Sequence, residues 1–140
     1  MEMIEFPWMR MNVLVNLQEL SDASEQTRRW INHEKYGSFD EVIHCLFDDS
    51  SFERDPRRTI GALLFNEKEA DLIKDTIDLI DELFDKYGKD LSDAEYIAKP
   101  EWPGIMASAE TAYKAMMEDD LRLMEPAKRA ELYKEFRIDV

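Results

Sequence analysis

Two histidines, one cysteine and a row of carboxylates are the side chains of this 140-residue chain best suited to chemistry. His33 and His44 alone leave little scope for general acid–base catalysis by imidazole. His44 and Asp48 stand four residues apart and could share a helix face and a metal ion. Two ligands do not make a site, and Asp48-Asp49 reads more simply as a helix end. Cys45 follows His44 directly, and adjacent helical side chains diverge, so the pair is not a dyad. A lone cysteine of this kind is expected to fill core space. Glycine-rich phosphate loops, zinc-ligand spacings and nucleophile elbows are absent from the sequence. No cofactor is expected.

The carboxylates carry the stronger pattern. Between Glu67 and Tyr87, Asp71, Asp75, Asp78, Glu82 and Asp85 recur at helical spacing. Ala70, Ile73, Ile77, Ile80, Phe84 and Tyr87 fall on the other side, flanked by Leu72, Leu79 and Leu83. Asp78, Glu82 and Asp85 could hold magnesium, as carboxylates do in helical nucleotide hydrolases. A magnesium site sits between helices, however, whereas this stripe lies opposite the apolar face. It is expected to face solvent or a partner. Arg28, Arg29, Arg54, Arg57 and Arg58 could grip an anion. Pairing with Asp48, Asp49, Asp55 and the acidic stripe is the expected use of these arginines. Trp102, set between Pro100 and Pro103 and near Tyr96, makes an aromatic corner. It suits a core wedge or a contact surface.

Helices must position these groups. Pro7 opens a helix running to about Leu20, preferred over a strand across Met11–Leu17. The surrounding Met1, Met3, Phe6, Trp8 and Met9 are expected to dock. Ser21-Asp22 separates the first helix from a second, in which Ala23, Thr27, Trp30 and Ile31 share a face and Gly37 marks the stop. Three capping boxes follow. Ser38 and Glu41 open a short helix to about Asp48, Asn66 and Glu69 open the long helix closed by Gly88, and Ser92 and Glu95 open a turn that breaks before Pro100. Lys99–Gly104 reads as a bend, with helix again from about Ile105. The face of Ile105, Met106, Ala109, Ala112, Tyr113, Met116 and Met117 should allow close helix approach. Pro126 starts a last helix anchored by Leu132, Tyr133 and Phe136. Pro56 to Phe65 is read as a short helix, with a buried strand over 60–65 as the alternative. The fold class is all-α, a single-domain irregular or orthogonal bundle of six or seven helices over residues 1–140.

Composition sets the outer bounds. Hydrophobic residues make up 44% and charged residues 36%, a globular balance, with four glycines and five prolines, too few for a turn-rich β fold. Thirty-two acids against 18 bases leave a formal charge of −14. That charge disfavours nucleic acid and acidic membrane surfaces and favours a basic protein as partner. One cysteine, no signal peptide and no apolar run of spanning length point to the cytoplasm.

Phe39-Asp40, Leu46-Phe47-Asp48-Asp49, Asp55-Pro56, Ile60-Gly61, Glu69, Ser92 to Ile97, Pro100 and Trp102 together resemble a family of small, acidic, uncharacterised bacterial proteins. The resemblance covers roughly residues 10 to 117 and implies no activity. By type rather than by motif, such proteins are similar to immunity proteins that neutralise a basic toxin. The expectation is therefore a non-enzymatic bacterial binding protein, with Asp71, Asp75, Asp78, Glu82, Asp85 and Trp102 as partner-binding residues. A magnesium-dependent hydrolase is the second expectation. A homo-oligomeric module, such as a homodimer covering the Met-rich start and the wide long-helix face, is the third.

Overall fold

A computed structural model of the chain describes residues 3–139 and forms an all-α bundle. Among the described residues seven α-helices occur in order: α1 Pro7–Ser21, α2 Ala23–Gln26, α3 Phe39–Ile43, α4 Glu67–Tyr87, α5 Asp93–Ile97, α6 Trp102–Leu123 and α7 Pro126–Glu135. π-helical turns extend α2 over Thr27–Ile31 and α3 over His44–Asp49, and a 3-10 turn spans Pro56–Thr59. None of these helices is long and apolar enough to cross a membrane.

Apolar spacing explains the packing. α1 and α4 both lie along α6, whose buried Ala109, Ala112 and Ala115 offer little bulk to hold them apart. The α4 stripe of Ala70, Ile73, Ile77, Ile80 and Leu83 is buried, with Phe84 and Tyr87 half-buried. This face is spent inside the molecule and is not spare area for a second copy. A cluster of rings closes one end: Phe39 touches Trp30, Phe84, Tyr96 and Trp102 with centroids 5.1–5.7 Å apart.

The centre of the bundle is polar. Arg10 of α1 is fully buried, and hydrogen bonds engage its Nε and both terminal nitrogens. Nε donates to Asp120 Oδ1 at 2.7 Å. Nη1 and Nη2 each donate to a Glu69 oxygen at 2.8 Å. Nη1 also reaches the Leu63 carbonyl at 3.0 Å and Nη2 the Met116 carbonyl at 3.1 Å. The guanidinium lies 4.4 Å from the Phe65 ring centroid. Glu69 Oε1 accepts the Phe65 amide at 2.9 Å, and Tyr133 of α7 donates its hydroxyl to Asp120 Oδ2. Burial works against the Arg10 charge, but Glu69 and Asp120 outweigh it and hold its pKa above the ordinary value. Burial raises both carboxyls, with Arg10 pulling the other way.

Several sequence expectations need correction. Asn66 caps α4 through the Glu69 amide at 3.0 Å, but the Glu69 side chain turns inward to Arg10 instead of completing a capping box. At Ser38 only half a box forms, because the Glu41 carboxylate takes the Tyr36 hydroxyl instead. Ser92 and Glu95 form the complete box. The second helix ends at Ile31, well before Gly37, and its Ala23, Thr27 and Ile31 are exposed. Of the expected face only Trp30 is buried, and Gln26 is buried with it. Gln26 Nε2 donates to the Leu20 carbonyl at the end of α1 and to the Glu19 carbonyl, which also accepts the Asp22 amide. α6 begins at Trp102, three residues early, because Pro103 loses no helical hydrogen bond in a first turn.

Pro56–Phe65 is neither a full helix nor a strand. The 3-10 turn stops at Thr59, Gly61 takes φ +93°, and the Thr59 carbonyl accepts the amides of residues 62, 63 and 64. This loop receives the N-terminal segment: the Glu5 and Phe6 amides donate to the Gly61 and Ala62 carbonyls at 3.0 and 2.9 Å. The start does dock, through backbone bonds and buried Ile4. Met3, Phe6 and Trp8 stay exposed at 91%, 41% and 55%, and Met9 is half-buried. Met1 lies outside the described residues.

Replacing Arg10 with methionine tests the centre. The change leaves two buried carboxylates unpaired and should destabilise the protein by roughly 3–5 kcal/mol at neutral pH. A carboxyl raised in the fold destabilises it above the unfolded pKa, so the deficit should shrink as pH falls toward that value. Urea unfolding of R10M and the parent at pH 7.5 and 5 measures both effects.

Candidate functional site

The exposed acidic face of α4 is built by the same periodicity that buries the opposite face. Asp71, Asp75, Asp78, Glu82 and Asp85 are all exposed. Two of them have local partners: Asp71 accepts Arg57 Nη2 at 2.9 Å, and Asp78 meets Lys74 Nζ at 3.0 Å. Asp75, Glu82 and Asp85 make no ion pair among the described residues. Asp81 stands beside them. Partial desolvation, then the charges of Asp78, Asp85 and Glu53, raises its carboxyl above the ordinary range. The face is therefore a region of concentrated negative charge on a rigid, 21-residue rod.

Trp102 does not join this face. It is 2% exposed, and its Nε1 donates to Gln26 Oε1 at 3.1 Å. It is not the partner contact expected of it but the core wedge, a ring at the head of α6 set edge-on against Trp30 and Phe39. Tyr96 is buried beside it and donates to the Gly88 carbonyl.

The groups suited to catalysis are scattered. His44 and Asp48 form an exposed pair at 3.0 Å. His33 is exposed in the loop after α2, at φ +54°. Cys45 is buried, and that burial pushes its thiol up to about 11. Among the described residues no three His, Cys, Asp or Glu side chains converge as a metal ion requires.

The arginines divide. Arg28 and Arg29 pair with Glu25, at 3.1 and 2.8 Å, and Arg57 pairs with Asp71 and Glu67. Arg54 and Arg58 make no ion pair or side-chain hydrogen bond with the described residues, against the expectation that the cluster is neutralised internally. Both line a cleft of about 610 Å³ together with Phe6 and Trp8. In the sequence these arginines and these rings lie more than 40 residues apart. Only the backbone pairing of residues 5 and 6 with the 60–64 loop brings them together, and no periodicity signals that pairing.

Residues 4–123 match the family described as Domain of unknown function (DUF7945). The chain belongs to that family. No curated protein and no solved structure matches the chain. The DUF7945 match takes in α1 to α6 and stops before α7, so Arg10, Glu69 and Asp120 lie inside it and Tyr133 outside. The cleft residues and the whole acidic stripe also fall within it.

The buried thiol gives a direct test of this geometry. With its pKa raised and its sulfur enclosed, Cys45 should react with a disulfide reagent at pH 8 at least tenfold more slowly in the native protein than in urea. Absorbance of the released thiolate follows the rate.

Proposed function

We propose that this chain is a non-enzymatic binding protein of the bacterial cytoplasm whose α4 face receives a cationic protein, in the manner of an immunity protein or inhibitor. One observation carries the reading. Three carboxylates on one exposed helical stripe, Asp75, Glu82 and Asp85, have no cationic partner among the described residues, in a chain of formal charge −14. Like charges held together on a rigid helix repel one another, and a cationic surface relieves that repulsion on contact. The same field draws a positively charged partner from a distance and weakens with salt.

The dispersed histidines and the enclosed Cys45 favour binding over catalysis. A hydrolase using Asp78, Glu82 and Asp85 would need a second helix opposite them. The exposure of all three supports the binding reading instead.

Neutralising the unpaired acids separates this reading from general acidity. Immobilised protein should retain a basic protein from an extract of its own host at 50 mM salt and release it by 500 mM. The D75N/E82Q/D85N variant should fold as the parent does and retain at least tenfold less. Equal retention by parent and variant, followed by quantitative mass spectrometry, would overturn the proposal.

A further inference from the structure

The cleft beside the N-terminus has a different chemistry from the acidic face. It measures about 610 Å³, within the range of small-molecule sites, and none of the five stripe carboxylates lines it. Trp8 is the one tryptophan of three that stays exposed, at 55%, whereas Trp30 and Trp102 are at 3% and 2%. It packs edge-on against Phe6 with centroids 6.1 Å apart. Two large rings held in water by an ordered backbone are an uncommon use of apolar area in a chain that buries its other tryptophans.

Polar groups converge on the same space. Arg54 and Arg58 line it without an ionic partner among the described residues, although the chain has an excess of acids. Ser50 also lines it. That residue is 1% exposed, and its hydroxyl has no hydrogen-bond partner. The hydroxyl is close enough to Cys45 to ease the thiol's pKa, but it makes no bond to it by distance and angle. The hydroxyl lies beneath the wall of the cleft rather than on its surface. Ser51, next to it on the wall, sits at φ +60°, an unfavourable conformation for a non-glycine residue that the surrounding structure enforces. Asp49 is the one carboxylate on the lining. Two guanidinium groups against one carboxylate leave a single positive charge to be met.

We propose that this cleft binds a small molecule in which a flat apolar ring carries one anionic group. The ring stacks at Phe6 and Trp8, and the anion accepts hydrogen bonds from Arg54 and Arg58. Arginine suits this role because its fork of donors matches a planar or tetrahedral anion at two points. The site is independent of the α4 face, so either can be present without the other.

Two dyes of the same shape test the assignment. 8-Anilinonaphthalene-1-sulfonate carries a ring system and one anion, and N-phenyl-1-naphthylamine is its neutral counterpart. Fluorescence titration of the native protein should show saturable binding of the sulfonate at one site, at least tenfold tighter than the neutral dye. R54Q/R58Q should remove that preference and weaken the sulfonate about tenfold, the loss of a charge-assisted hydrogen bond. Trp8→Ala should weaken both dyes, and Asp49→Asn should tighten the sulfonate by removing a like charge. All of these positions are exposed, and circular dichroism melts verify that the variants fold. Absence of saturable binding, equal affinity for the two dyes, or an R54Q/R58Q variant that binds the sulfonate as the parent does would each overturn the proposal.

Discussion

Arg10 is the constraint on which this structure depends. Its guanidinium lies in the middle of the bundle and touches three separated parts of the chain: the 60–65 loop, α4 through Glu69, and α6 through both Met116 and Asp120, with α7 joined at one remove by Tyr133. Removing such charges from water is expensive, and replacing the set with apolar side chains of equal volume often yields a protein as stable. What the set supplies here is direction, five hydrogen bonds of 2.7–3.1 Å from one guanidinium. An apolar core tolerates small slides of one helix along another, but a fork of donors fixed to two carboxylates and two carbonyls does not. One guanidinium faces two carboxylates, and the excess negative charge is shared with the Phe65 amide, on the Glu69 oxygen that Arg10 Nη1 also bonds, and with the Tyr133 hydroxyl, on the Asp120 oxygen that Arg10 leaves free.

From that centre the surface is laid out in sequence. Leu63 and Phe65 are tied to Arg10 and Glu69, so the loop between α4 and the 3-10 turn has a fixed path despite having no regular structure. The path presents the Gly61 and Ala62 carbonyls to the incoming chain, which sets where Phe6 and Trp8 emerge. Charge is sorted at the same time. The acids of α4 gather on the solvent side, and Arg57 turns toward them while Arg54 and Arg58 stay beside the rings. A strongly acidic protein thus carries a small locally basic and aromatic region.

Much of the bundle was legible in the residue pattern, because helical period and caps are local signals. α4 was read to the residue, from Asn66 as cap to Gly88 as stop, and α1 and α7 followed from prolines at first-turn positions. The exposure of the five stripe carboxylates was equally local. What stayed hidden was long-range. Nothing in the spacing singled out Arg10, and Glu69 looked like half of a capping box. Their partnership spans 59 positions, which no spacing rule reaches. The same applies to 60–65, where an apolar run satisfies its backbone through the Thr59 carbonyl and the N-terminal segment, a solution with no period to detect. Trp102 illustrates a third limit: a ring between prolines fits a corner or a surface equally well until its neighbours are known.

The position of α7 outside the DUF7945 match has its own consequence. Asp120 is fully buried near the end of α6, and one of its oxygens is answered only by a hydroxyl from the seventh helix. A relative whose chain lacked that helix would open this carboxylate to water or need a neutral side chain in its place. In this chain the acid at position 120 and the C-terminal helix therefore depend on each other, and cutting the chain before Pro126 should cost less stability when Asp120 is first made asparagine.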